Sequence, residues 1–310
     1  MDNRQTYKEW CRKQAELPLF MQGWWLDAAA EGKEWNALGL PSGSMLPYLL
    51  RKRLGMRFVL MPQQTQIGGY FGTADHASDI AAAIDSLHLA YYYQKYPIGQ
   101  TTALELRQYG FTVKEMTTYR IADLRLRTPE DEQALIRSFS ENKRRQLRKA
   151  ASQVADYGLT ADEFYAFHSY CLSLQGKEIA YSKTFWESLY GACQAHEAGQ
   201  LIGLRDSEGR LTAAAFVAYD ADTCYYLIPT YDPSLGNNGA GARLVLEAIR
   251  FAGRHSRHFD FEGSMIPSVA EHYRQFGSRP YTYYSVEKTY NPLFRLAQAL
   301  YQLINRKKLS

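Results

Sequence analysis

A glycine-rich loop and two carboxylates lie close together in the run NNGAGARLVLEAIRFAGRHSRHFDFEGSMIPSVAEHYRQFG, from Asn237 to Gly277. Asn237-Asn238-Gly239-Ala240-Gly241-Ala242 leads into a helical pattern that begins at Arg243. Small residues let a ligand approach the backbone closely, and the unpaired amides of a helix start favour phosphate oxygens. The same residues also suit a turn that caps a core helix, and a short glycine-rich match does not separate the two. Phe259-Asp260-Phe261 then alternates like a buried strand, with Glu262, Gly263 and Ser264 at its C-terminal end. Ligand sites in α/β sheets gather at such strand ends. A carboxylate there can take a proton from an attacking amine, or hold an ammonium group. Glu262 is the first candidate for that task and Asp260 the second. The alternative is that Asp260 caps the following turn while Glu262 pairs with a nearby arginine.

Further groups extend this set. Arg274, in HYRQFG, suits a phosphate or a developing oxyanion, or else is a surface side chain of the helix predicted over Val269–Phe276. Tyr283 and Tyr284 fall on a predicted final strand, Tyr281–Lys288. Alternation sends them to opposite faces, so only one can offer a cleft its hydroxyl as a general acid; Tyr284 is the candidate, and core packing suits either. Lys143, Arg144, Arg145, Arg148 and Lys149 crowd one side of an amphipathic run, Lys143–Val154, whose other face carries Leu147, Ala150, Ala151 and Val154. Such a cluster fits phosphate recognition, by a nucleotide-linked ligand or transfer RNA, or a solvated helix face. His255 and His258 flank a helix–strand turn with no nucleophile or metal partner in the pattern, and read as structural.

These residues need elements to hold them. Thr128-Pro129 followed by acidic residues is a helix start. Thr6-x-x-Glu9, Thr160-x-x-Glu163 and Thr184-x-x-Glu187 read as capping boxes. Gln200–Arg205 and Leu211–Tyr219 form a predicted hairpin, and Cys224–Pro229 a third strand before the glycine loop. In the first part, Trp35–Leu40, Met45–Leu50, Arg57–Met61 and Phe111–Tyr119 read as strands, and Ile80–Tyr93 as a helix by spacing. The order predicts two α/β domains, 1–120 and 121–310, each a mixed, mainly antiparallel sheet flanked by helices. The chain closes on a predicted helix, Leu293–Ile304, and a basic tail, Arg306–Lys308, suited to packing on the domain or touching an anionic membrane surface.

Composition sets the outer bounds. With 310 residues, 46% hydrophobic and 22% charged, the chain is long enough for a large core or two. The four cysteines, Cys11, Cys171, Cys193 and Cys224, form no CxxC pair, which argues against a disulfide framework or zinc site and fits a reducing cytoplasm. No apolar run approaches the roughly 20 residues that span a bilayer. The net charge of +4 is modest, and the 24 tyrosines suit polar-edged aromatic cores.

Several segments together resemble the Fem-like branch of the GNAT acyltransferase superfamily, which includes the methicillin-resistance peptidyltransferases. They are FMQGWWLDA with LPYLLRKRLGMRFVLMPQQTQ, then SENKRRQLRKA, then GARLVLEAIRFA with FDFEGSMIPSVAEHYRQFG. The resemblance implies tandem GNAT-like domains and an N-acyltransferase that moves an acyl group from acyl-CoA to an amine by direct attack. The runner-up is an aminoacyl-tRNA-dependent transferase acting on a peptidoglycan precursor, and a third reading is a non-catalytic binding module that keeps the fold. On this likeness Asn237, Asn238, Gly239, Gly241, Ala242 and Arg243 hold the donor's phosphates in a loop usually written [RQ]-x-x-G-x-[GA], although Gly236 stands where its cation or glutamine belongs. Arg274 replaces the lysine of many Fem-like sequences. Arg145 and Lys149, with Gln64 and Gln66 of the first domain, become candidate substrate-binding residues. The long coiled-coil arm of some peptidyltransferases has no counterpart here.

Overall fold

The computed structural model describes residues 3–72, 76–263 and 265–296. The chain divides into two compact units, and the division is not a simple cut. Residues 1–116 and 282–310 form the first unit; 117–281 form the second. The sequence reading places everything after 121 in a second domain, but the chain from Thr282 onward returns to the first.

In the first unit, α1 (Asn3–Cys11) and α2 (Gly23–Ala29) precede β1 (Trp35–Gly39), β2 (Met45–Arg53) and β3 (Met56–Leu60). Then come α3 (Ala77–Asp85), β4 (Tyr91–Tyr96), α4 (Thr102–Glu105) and the start of β5 (Thr112–Ile121). β1–β2 and β2–β3 pair antiparallel, while β3–β4 is parallel. Thr6 and Glu9 lie inside α1 rather than at its start. The predicted helix Ile80–Tyr93 is also divided. Its first part belongs to α3, but His88 takes a left-handed φ of +50° and Tyr91 begins β4. Leu46, Val59, Ile80, Tyr92, Tyr96 and Val286 sit in the core. The buried tyrosines there keep hydrogen-bond partners, as expected of phenols in an apolar core: Tyr92 bonds Gln94 and Tyr96.

The second unit continues with α5 (Pro129–Ser138), α6 (Glu141–Lys149), β6 (Val154–Asp156), α7 (Ala161–Ser173) and α8 (Lys183–Ala195). It ends with β7 (Gly199–Arg205), β8 (Leu211–Tyr219), β9 (Thr223–Tyr231), α9 (Ala240–His255), β10 (His258–Asp260) and α10 (Pro267–Arg274). β11 (Arg279–Thr289) carries the chain back, and its residues Tyr284–Thr289 pair antiparallel with β4. The capping boxes at Thr128 and Thr160 are both present, each worth about 1 kcal/mol to its helix. α8 is capped instead by Ser182, two residues before the predicted threonine. The run predicted as one helix to Val154 stops at Lys149, and Val154 opens β6.

β10 lies between β5, antiparallel, and β9, parallel, and α9 makes the crossover from β9 to β10. α9 buries Leu244, Val245, Ala248, Ile249 and Ala252 against the strands, with Phe259 and Phe276 in the same core. Burial of the leucine, valine, isoleucine and phenylalanine side chains contributes roughly 1.5–3 kcal/mol each. Both units thus hold a mixed, mainly antiparallel sheet flanked by helices. Residues 297–310, with most of the predicted terminal helix and the basic tail, lie outside the described residues.

Candidate active site

β9 and β10 run side by side for only three pairs, from His258 with Thr223 to Asp260 with Tyr225. At that point β9 bulges: Ala218 of β8 faces Tyr225 and Phe216 faces Ile228, so Tyr226 and Leu227 oppose the single residue Val217. A bulge of this kind bends its strand and re-aims the chain. Pro229, further along β9, has no amide to donate to a neighbouring strand. The parallel pairing therefore ends at Asp260 with Tyr225, where the bulge at Tyr226–Leu227 follows on one strand and the turn after Asp260 on the other.

That turn is held on every side. Asp260 is fully buried. Thr118 Oγ1 donates to its Oδ1, Arg120 Nε donates to its Oδ2 at 2.5 Å, and the amide of Glu262 donates to Oδ1 at 2.7 Å. Phe261 donates its amide to the Tyr119 carbonyl, 2.9 Å away. Glu262 then adopts φ +64°, a left-handed conformation uncommon for a residue with a side chain. Gly263 follows at φ +69°, where a Cβ would lie 2.1 Å from the Thr117 carbonyl oxygen. Only glycine lets the turn press that closely on β5. Both oxygens of Asp260 thus already serve Arg120, Thr118 and the Glu262 amide. Glu262 is half-buried, in the turn that follows the end of this pairing.

α10 covers this turn. Tyr273 stacks on Phe261 with ring centres 4.6 Å apart. Burial raises the Tyr273 hydroxyl to a pKa of about 12, and the charges of Glu262 and Asp260 add to the rise. Arg274 Nη2 donates to the Tyr119 hydroxyl at 2.9 Å, and its guanidinium lies over that ring. Arg274 also pairs with Glu271 at 3.5 Å and stays half-exposed. Glu262, Tyr273, Arg274 and Tyr119 thus come together from β5, the turn and α10. The sequence reading missed Tyr273 and Tyr119, although Tyr273 stands next to Arg274 in HYRQFG. Tyr284 is not brought to this cluster: it belongs to the first unit, buried in that core opposite Tyr96.

The glycine loop divides into a packed half and an open half. Gly239, at φ +86°, caps α9, and a Cβ there would lie 2.2 Å from the Gln146 carbonyl oxygen of α6. Its missing side chain serves helix packing. Asn238 Oδ1 accepts from the Ala240 amide at 2.9 Å, and Ala242 is buried in the core. Arg243 pairs with Glu247 at 2.9 Å rather than reaching back over the loop. Gly236, exposed Asn237 and Gly241 remain on the open side; a Cβ at either glycine would meet nothing within 4 Å.

The basic cluster of α6 also divides. Arg144 and Arg148 pair with Glu141 at 2.7 and 3.1 Å. Lys143 is buried: its Nζ lies 3.0 Å from His272 Nδ1 of α10 and over the Phe276 ring. Burial lowers the lysine to a pKa of about 8, and burial with the nearby lysine lowers His272 to about 4. Arg145 and Lys149 are exposed, with Arg145 near Asn142 Oδ1 at 3.3 Å. In the first unit, Gln64 has φ +52° and Gln66 is buried, on a loop tied down by Trp25 Nε1 donating to Thr65 Oγ1. Among the described residues no group of His, Cys, Asp or Glu is placed to hold a metal ion, and no helix is long and apolar enough to cross a membrane.

A parallel strand pair that ends at a bulge, crossed over by a helix entered through a glycine loop, defines the GNAT acyltransferase fold. Residues 124–275, nearly the whole second unit, match the acetyltransferase (GNAT) domain family, and that unit is a GNAT domain. The chain as a whole has the fold of FemX, with a TM-score of 0.70 at 13% identity over 98% of both chains. It is also similar to L-PGS from Bacillus licheniformis, with a TM-score of 0.57 at 12% identity over 97% of this chain and 96% of that one. A tandem GNAT protein from the clavulanic acid biosynthesis pathway gives 0.52 at 10% identity, over 92% and 94%. No curated protein matches the chain in sequence.

Proposed function

We propose that the second unit catalyses acyl transfer from an activated donor to an amine by direct attack. The end of the β9–β10 pairing, with Glu262 held left-handed beside Tyr273, carries this reading. The amine nitrogen bonds to the acyl carbonyl carbon, and the carbonyl π pair moves to oxygen. Backbone amides where that pairing ends polarise that oxygen. The amine proton passes to Glu262, directly or through water, and the C–S bond of a thioester donor breaks with its electron pair on sulfur. Tyr273 protonates the leaving group, and its tendency to do so rises once Glu262 has been neutralised by the amine proton. Positioning and charge stabilisation supply most of the acceleration. Acyl-CoA fits as donor, its phosphates on the open side of the loop at Gly236, Asn237 and Gly241.

A second donor class is favoured by two observations. Arg243 is committed to Glu247, which leaves the loop short of a cation for a pyrophosphate. A hydroxyl near pKa 12 is also better matched to an alkoxide leaving group than to a thiolate, whose ordinary value is about 8.5. Both suit an aminoacyl ester on transfer RNA, with Arg145 and Lys149 on its phosphates and a peptidoglycan-precursor amine as acceptor. FemX and L-PGS share the fold, which is consistent with either donor.

A product-forming assay run with each donor tests the reading. Glu262→Gln is expected to lower turnover by about 10²–10⁴-fold while donor binding is kept; unchanged turnover would remove Glu262 as base. Millimolar CoA that leaves the melting temperature unmoved would remove the thioester donor. Transfer-RNA binding that ignores salt, or that survives Arg145→Ala with Lys149→Ala, would remove the ester donor.

A further inference from the structure

The other end of α9 holds a second concave site that plays no part in this chemistry. A groove of about 420 Å³ is walled by the link after β5, residues 123–127, and by the last turn of α9 with the link to β10, residues 253–257. Both walls belong to the second unit. Gly253 sets its narrowness: a Cβ there would lie 2.8 Å from Leu126 Cβ and Cδ1, so glycine lets the link lie directly on the helix. The link is pinned by the Leu124 amide donating to the Arg257 carbonyl at 2.7 Å and the Asp123 amide donating to His258 Nδ1 at 3.1 Å.

The lining carries Arg125, Arg127, Arg254 and Arg257 against one carboxylate, Asp123. Asp123 is engaged by Arg257 Nε at 2.8 Å, which holds its carboxyl below the usual range. Asp131, further along the chain, accepts the amides of Arg127 and Thr128 as part of its helix cap. The C-terminal dipole of α9 accounts for Arg254, in the last turn, but not for arginines brought from the link. Sixteen helical residues separate the two ends of α9, roughly 24 Å at 1.5 Å per residue, so this groove is not the loop site at Gly239.

We infer that this groove is an anion site for a ligand carrying two or more phosphate groups. Planar guanidinium forks from two facing walls match phosphate oxygens bidentately, which scattered ammonium groups would not. The volume is that of a small-ligand pocket. Free nucleotide or pyrophosphate and the backbone of an RNA strand present the same chemistry. The inference does not depend on the transfer reaction at Glu262.

Calorimetric titration of the whole protein with sodium pyrophosphate, and separately with a single-stranded RNA dodecamer, tests it. The wild type is expected to bind at least one probe. Arg125→Ala with Arg127→Ala is expected to weaken that binding tenfold or more, with an unchanged melting temperature. A control of equal charge, Arg53→Ala with Arg210→Ala, is expected to change it less than twofold. Pyrophosphate binding that depends on the groove marks a small phosphorylated ligand; binding of the RNA alone marks a strand. No binding of either probe at millimolar concentration overturns the inference, as does equal weakening by the control pair.

Discussion

The turn at Gly239 and the turn at Glu262–Gly263 are built on the same device and used differently. In each, a left-handed glycine is pressed on a backbone carbonyl, that of Gln146 in one and Thr117 in the other. At Gly239 the whole feature is satisfied by packing, since its neighbours Ala240 and Ala242 are buried and Arg243 bonds within its own helix. At Gly263 the glycine supports a neighbour, Glu262, that keeps a charged side chain in a conformation glycine would hold at less cost. Left-handed backbone by itself therefore says little about chemistry. A side chain retained there, with a buried aspartate bonding its amide, says more.

The largest expected effect falls on that aspartate. Asp260→Ala leaves Arg120 without its buried partner and the Glu262 amide without its acceptor, and should cost about 3–5 kcal/mol in urea unfolding. A loss below 1 kcal/mol would mean that the Glu262 turn does not depend on this brace. Gly263→Ala and Gly239→Ala each set a Cβ within about 2 Å of a carbonyl, so each should cost roughly 2–4 kcal/mol. The two turns part company at the next position. Glu262→Gly should raise stability by about 1 kcal/mol through relief of the left-handed strain, while turnover falls at least 100-fold. If stability falls instead, the side chain is structural. On the other turn, Gly241→Ala stands in open space on a helix and should add about 0.5–1 kcal/mol.

The smallest effect concerns the link between the turns. α6 holds Gly239 through Gln146, and through Lys143 it meets His272 on α10, which covers the Glu262 turn. His272 titrates near 4 in the fold and near 6.5 in the unfolded chain. The unfolded state therefore binds more protons between these values. Stability is fully present above pH 6.5 and declines as pH falls toward 4. Only the part of the side chain that faces Lys143 and Phe276 is covered and the rest stays open to solvent, so the slope is shallow. Unfolding midpoints across pH 4–7 should show it, and His272→Gln should flatten it; an unchanged profile in the variant would assign the slope to other groups.

Much of the second unit was legible in the sequence because its signals are local. The helix start at Thr128, the box at Thr160, the hairpin over residues 200–219 and the loop–helix–strand order each need only a few adjacent residues. The illegible parts depend on distant partners. Asp260 becomes a brace only through Thr118 and Arg120, about 140 residues earlier. The bulge at Tyr226–Leu227 has no residue type of its own, and the left-handed His88 that ends α3's path gives no glycine to mark it. Tyr273 stands in the motif HYRQFG, yet only the stacking on Phe261 sets it beside Glu262.

The return of the chain after Thr282 carries a consequence for biogenesis. β4 is made early, but β11, the strand that zips along it from Tyr284 to Thr289, leaves the ribosome only after the entire second unit. At about 5–20 residues per second, that leaves a tyrosine-rich strand edge waiting on the order of ten seconds during synthesis. The unit inserted between the two halves has all its own strands by then, so its synthesis is complete before the first unit can close its sheet.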